Sequence, residues 1–150
     1  MAIEIERKFL LESLPEAYKQ NPVEIQQGYL LICPDGSEFR VRKKGELFLQ
    51  TLKKPLAEGR TEIETEISQK LFEEFWLLTA GKRLEKTRFY YPLQQEAMAE
   101  IDVYKGRNKG LIVIEVEFDS IEASRKFTPP AWFGKEITGK KKYKNQNLAT

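Results

Sequence analysis

Histidine is missing from this 150-residue chain, and cysteine occurs once, at Cys33. Without histidine there is no Ser-His-Asp or Cys-His nucleophile, no imidazole zinc ligand and no imidazole general base. A lone cysteine excludes an internal disulfide and a thiolate zinc cluster, and Cys33 reads as a small apolar filler. No apolar run is long enough to span a bilayer, and the charged pattern begins at once, without a secretory leader. The expected setting is therefore the cytoplasm, with no membrane partner. The glycines form neither a phosphate-binding loop of the Walker type nor a dinucleotide fingerprint. Repeats, low-complexity tracts and linkers are also lacking, so residues 1–150 are expected to form one domain. A net charge of +2, from 25 basic and 23 acidic residues, gives no global pull toward nucleic acid, so any electrostatic specialisation must be local. The available chemistry is that of carboxylates, lysine, arginine, hydroxyls, the backbone or a hard metal ion.

What the chain does have is alternation. Glu4, Glu6 and Lys8 alternate with Ile3, Ile5 and Arg7; Arg40 and Arg42 flank Val41; Glu62, Glu64 and Glu66 flank Ile63 and Thr65. Lys86 and Arg88 flank Thr87, Glu100 and Asp102 flank Ile101, and Glu115 and Glu117 flank Val116. Residues two apart in a strand share a face, so each stretch carries a charged face and a mostly apolar or small one. Most stretches carry a single sign, whereas a merely solvated surface is better served by mixed signs.

Strand patterns run over 2–11, 23–32, a stretch through Phe39 and Val41, 47–53, 60–67, 83–92, 97–105 and 111–119. Turn chemistry lies at Pro34–Ser37, Lys43–Glu46 and Lys105–Gly110. Ser13 with Pro15 predicts a helix start, Ser68 caps a helix over 69–80, and Ser120 caps a short helix to Arg125. In the 69–80 helix, Leu71, Phe72, Phe75, Trp76, Leu78 and Thr79 form the buried stripe, with Gly81 beyond its end. Phe9, Phe39, Phe48, Phe72, Phe75, Trp76 and Phe118 are expected in the core. The fold class is α+β, mainly β: about eight antiparallel strands closed into a barrel, with a few flanking helices. Closure suits the charges, because a barrel keeps apolar faces outward under covering helices while its lumen stays wet.

Two unit charges about 4 Å apart repel by roughly 4 kcal/mol at an effective dielectric near 20. Carboxylates converging on one cavity therefore call for cations, and an oxygen-only donor set selects Mg2+, Mn2+ or Ca2+ over zinc or copper. Glu4, Glu6, Glu62, Glu64, Asp102, Glu115 and Glu117 are the candidate ligands. Arg40, Arg42, Lys53, Lys86, Arg88 and Lys8 are the candidate phosphate binders, since guanidinium forks and ammonium groups both match phosphate oxygens. A long nucleic acid would be repelled by the rows of acid, and no nucleic-acid partner is expected. Tyr29 shares a strand face with Gln27; its hydroxyl is a candidate for reaching a phosphate or a metal-bound water, against a plain wall-packing role. Lys135 and Lys140–Lys142 read as solvated surface.

In order along the chain, Glu4-Ile5-Glu6-Arg7-Lys8, Arg40-Val41-Arg42, Thr51-Leu52-Lys53, Arg60 with Glu62 and Glu64, Glu85-Lys86-Thr87-Arg88, Ile101-Asp102-Val103 with Gly106, and Glu115-Val116-Glu117 resemble the CYTH superfamily of triphosphate tunnel metalloenzymes. The tail from Trp132 through Thr138 to Tyr143, Asn145 and Leu148 extends the resemblance over nearly the whole chain. The Lys140–Lys142 run is more basic than this stretch often is. The resemblance implies an eight-stranded tunnel barrel and an enzyme acting on a small triphosphate with divalent metal. With Gln27-Gly28-Tyr29 and its short length, the chain is most similar to short bacterial members that hydrolyse inorganic triphosphate. Two ions, Mg2+ or Mn2+, are then expected, with Lys8 and Tyr29 in catalysis and a homodimer possible. Thiamine triphosphate, nucleoside triphosphates, cyclisation of ATP and a non-catalytic polyphosphate-binding module are the alternatives.

Overall fold

Eight antiparallel strands close into a barrel in a computed structural model that describes residues 2–94 and 96–150. The strands are β1 (Ala2–Leu10), β2 (Val23–Ile32), β3 (Glu38–Lys44), β4 (Leu47–Pro55), β5 (Arg60–Glu66), β6 (Arg83–Pro92), β7 (Met98–Tyr104) and β8 (Ile112–Phe118). Around the wall they run β1-β5-β4-β3-β2-β6-β7-β8 and back to β1. Closure leaves few unpaired edges and gives every strand an inner and an outer row.

The outer rows supply one apolar layer. Phe9, Ala99, Ile101 and Ile114 are buried there under Leu14, Tyr18, Tyr91, Phe127, Trp132 and Phe133. Tyr18 stacks on Trp132 at 4.2 Å between ring centroids and meets Tyr91 edge-on at 4.8 Å. The helix expected after Ser13 reduces to a single 3-10 turn, Glu16–Tyr18, with Pro15 at its cap position and no side-chain cap. Pro22 disfavours helical geometry at Asn21, which takes φ 50°, so the segment cannot propagate and serves chiefly to deliver Tyr18.

The helix after Ser68 forms as α1 (Gln69–Trp76), with the Ser68 hydroxyl accepting from the Leu71 N–H at 3.1 Å. It tightens into a 3-10 turn over Leu77–Thr79 and reverses at Gly81, φ 80°. The buried stripe is narrower than the spacing predicts. Phe72 and Thr79 are buried, whereas Leu71 and Leu78 are exposed. The helix rests on β3 and β4 through Phe75 against Phe39 and Phe72 against Phe48, leaving one flank uncovered. For the same reason Phe39, Phe48, Phe75 and Trp76 are half-buried rather than core, as is Phe118; Cys33 is half-buried too. Thr79 sits so close to Gly28 that a Cβ there would lie 2.6 Å from its hydroxyl. Ser120 caps α2 (Ile121–Lys126) as expected, accepting from Ala123 N at 3.0 Å.

One end of the barrel is filled by the tail. β1 pairs with β5 only over Ala2–Glu4, which leaves its edge free from there to Leu10. Residues 134–137 take that edge: Gly134 N–H donates to Leu10 O at 2.9 Å, Leu10 N–H to Lys135 O at 2.9 Å, and Ile137 N–H to Lys8 O at 2.8 Å. Ile137 then packs with Leu84, Tyr104 and Val113, the apolar ends of three inner rows, joined by Tyr143 and Leu148 of the last turns. The final helix, α3 (Asn145–Leu148), is anchored by a Tyr104 hydroxyl to Asn145 hydrogen bond and by Thr150 pairing with the Arg83 backbone.

Candidate active site in the barrel lumen

Strand parity turns the charged rows inward. Glu4, Glu6 and Lys8 of β1, Arg40 and Arg42 of β3, Lys53 of β4, Glu62 and Glu64 of β5, Lys86 and Arg88 of β6, and Glu115 and Glu117 of β8 line one cavity of about 620 Å³. Acid and base interleave there, and Lys8, Arg40, Arg42, Lys53, Lys86 and Arg88 each stand within 4 Å of a carboxylate.

On one side, Asp102 accepts from Arg88 Nε at 2.7 Å, Arg88 Nη2 at 2.9 Å and Lys86 Nζ at 2.8 Å, while Arg88 Nη1 reaches Glu100 at 2.8 Å. Burial pushes the Lys86 ammonium down to about 8, with Asp102 restoring part of the loss. Arg42 donates to Glu64 at 3.1 Å, and the Thr51 hydroxyl donates to the same carboxylate at 2.8 Å. Lys53 contacts both oxygens of Glu4 at 3.0 Å and lies 3.5 Å from Glu62. Lys8 lies 3.3 Å from Glu115 and donates to Tyr143 O at 3.2 Å. The Nε donors of Arg40 and Arg42 are buried with no acceptor among the described residues, so these guanidiniums retain donor capacity for a ligand or water.

The acids are unequal. Glu4, Glu6 and Glu117 each offer a carboxylate oxygen, all within 4.8 Å of one another. Burial disfavours the Glu4 charge, but Lys53 and Arg60 outweigh it and hold its carboxyl down to about 2. Glu6 is pushed up to about 8 by burial and then by Glu115 and Glu4. Glu117, more exposed and without an ion-pair partner among the described residues, rises to about 7 through burial and its neighbours Glu100 and Glu4. A carboxylate trio with excess negative charge and oxygen donors only suits a hard divalent cation.

Two of the expected site residues stand behind the cavity wall. Asp102 is fully buried and absent from the cavity wall, with both its oxygens engaged by Lys86 and Arg88. Tyr29 is also fully buried and off the wall. Its hydroxyl accepts from Gln27 Nε2 at 2.8 Å, and it stands directly opposite Arg40 in the β2–β3 ladder, so it packs behind that guanidinium. Lys135 and Lys140–Lys142 are solvated as expected, and Lys140, with Lys144, also borders the cavity.

Among the lining residues outside the sequence-derived site are Glu38, Arg60 and Glu100. Period two carried one step further would have found each. Glu38 precedes Arg40 by two, Arg60 precedes Glu62, and Glu100 precedes Asp102.

A closed antiparallel barrel enclosing an ionic chamber, with a basic clamp beside a carboxylate trio, is built to hold a small polyanion with its counterions. The CYTH domain model matches residues 2–142, and the chain belongs to that family. It is 42% identical to an inorganic triphosphatase of Nitrosomonas europaea over 146 residues, covering 97% of this chain and 96% of that protein. It is 35% identical to an inorganic triphosphatase of Acetivibrio thermocellus over 154 residues, covering 99% and 94% respectively. The crystal structure of the inorganic triphosphatase NE1496 superposes with a TM-score of 0.72 at 41% identity, covering 97% of this chain and 96% of that one. No helix among the described residues is long and apolar enough to cross a membrane.

Proposed function

We propose that this chain hydrolyses inorganic triphosphate to pyrophosphate and phosphate inside the barrel, in a reaction that depends on a divalent cation. The observation that carries the substrate choice is the lining itself. Lys8 and the five cationic side chains of the proposed clamp face the cavity, and none of its described lining residues is Phe, Tyr or Trp. A nucleobase or thiazolium ring would find no stacking surface there, whereas a bare phosphate chain needs none. The two near full-length relatives that carry the name inorganic triphosphatase support the same reading.

Arg40, Arg42, Lys53, Lys86 and Arg88 bind the phosphate chain in this reading. The two unpartnered Nε donors supply directed hydrogen bonds, and the Asp102 and Glu64 pairs fix the forks before substrate arrives. Glu4, Glu6 and Glu117 would hold Mg2+ or Mn2+, with Glu62, Glu64 and Glu115 alongside. When bound, one or two such ions neutralise the phosphate oxygens and favour the ionised form of the attacking water. Water adds to a terminal phosphorus, the P–O bond to the bridging oxygen breaks, and that oxygen departs with pyrophosphate. Lys8, between Glu115 and the tail, faces the lumen and stabilises the charge that develops there. Tyr29 and Gln27 keep Arg40 in place. We assign the cytoplasm as the working compartment on the strength of the single half-buried thiol, and a homodimer stays compatible with this reading.

The test is phosphate release from tripolyphosphate, ATP and thiamine triphosphate with Mg2+ or Mn2+, with and without chelator. Tripolyphosphate should be turned over fastest, and only with metal. Release no greater than from a Glu4→Gln/Glu6→Gln variant would overturn the hydrolase reading, leaving a binding module.

A further inference from the structure

Arg60 stands where two sets of acids compete for it. It opens β5 directly after Gly59, whose φ of 79° and close approach to the Glu4 carbonyl, 2.5 Å from an added Cβ, leave no room for a side chain. That turn sets the Arg60 guanidinium between the carboxylate trio and Glu38. Nη2 lies 3.0 Å from Glu4 and 3.8 Å from Glu6, and Nη1 lies 3.2 Å from Glu38. Glu38 is buried, 3% exposed, and lines the same cavity. It is held from the far side by Gln146 Nε2 at 3.4 Å and lies 3.5 Å from Arg40. It is therefore a fixed second anchor, remote from the crowded acids.

We propose that Arg60 is a built-in counterion of the acidic centre, occupying Glu4 and Glu6 when no divalent cation is bound and retiring onto Glu38 when one binds. This rests on the reading of Glu4, Glu6 and Glu117 as the cation site. A guanidinium is suited to the task, since its fork engages two carboxylates at once and keeps one when it releases the other. Glu38 acts only through Arg60: it lowers the cost of displacing the guanidinium from Glu4.

Calorimetric titration of Mn2+ into the full chain, without substrate, tests this in four proteins: wild type, Arg60→Gln, Glu38→Gln and the double variant. Arg60→Gln should bind Mn2+ about fivefold tighter and Glu38→Gln about fivefold weaker, the size of one half-exposed charged hydrogen bond. The double variant should bind like Arg60→Gln, because Glu38 has no effect once its mediator is gone. In chelator, Arg60→Gln should also melt at a lower temperature than wild type, and Mn2+ should narrow that gap. An unchanged affinity in Arg60→Gln, or a double variant back at the wild-type value, would overturn the proposal; the second result is what independent field effects give. Should Arg60→Gln fail to fold, Arg60→Lys replaces it, and its affinity should likewise be insensitive to Glu38→Gln, since one ammonium lacks the fork. Failure of the wild type itself to bind Mn2+ would instead sink the cation reading beneath it.

Discussion

Asp102 is gripped by Arg88 through two parallel bonds, Nε to Oδ1 at 2.7 Å and Nη2 to Oδ2 at 2.9 Å, in a part of the wall that water does not reach. Removing one partner of such a buried pair leaves the other charge uncompensated, at a cost of about 3–5 kcal/mol. Asp102→Ala should lose that much in urea unfolding. The metal concentration that gives half-maximal rate should not move, since Asp102 offers the metal nothing. A large rise in that concentration would restore Asp102 as a ligand.

Glu6 and Glu117 give the metal-free protein a definite pH dependence. Both carboxyls titrate higher in the folded chain, at about 8 and about 7, than in the unfolded one, so the folded state binds protons more tightly. Stability measured in chelator should therefore be greatest in mild acid and fall as pH rises from the ordinary carboxylate range toward 8. Saturating Mg2+ should flatten the fall, and Glu6→Gln should reduce it in chelator. Stability that rises over this range in chelator would mean the two acids are not crowded.

Arg40→Ala and Arg42→Ala remove guanidiniums whose buried Nε donors have no acceptor among the described residues. Each should weaken tripolyphosphate binding by about 1.5–3 kcal/mol, on the order of 10–100-fold in KM, the range for hydrogen bonds to charged groups. Lys141→Ala, on an exposed side chain outside the cavity wall, should leave KM unchanged. Equal effects at Arg42 and Lys141 would remove the clamp assignment.

Ile137 is 1% exposed and seals the apolar end of the lumen against Leu84, Tyr104 and Val113. Ile137→Ala should cost about 2–5 kcal/mol, as other large-to-small core changes do. Limited proteolysis should then trim the chain first beyond Gly139, because the last turns lose their packing. Unaltered protease resistance would show that the edge bonds to β1 alone hold the tail.

The strands and turns were legible because period two is a local property. β2 and β6 have the bounds the pattern gives, and the other strands differ by a residue or a few at their ends. The inward direction of Glu4, Arg42 and Glu117 followed from the same parity, given closure. Helical segments were less legible. The run from Ser13 lacked the length to propagate between two prolines, and α1 met a barrel wall that covers only part of its apolar stripe.

Alternation alone determined which residues share a face, and so which charges line the barrel, because side-chain direction in a strand depends only on position along it. Who pairs with whom is set by the register between strands. The β6–β7 and β2–β3 registers decided that Asp102 meets Arg88 and Lys86 and that Tyr29 stands opposite Arg40, and the closed barrel that Arg60 bridges Glu4 and Glu38. The tail's place was likewise tertiary: it pairs along β1 because β5 is too short to cover that edge.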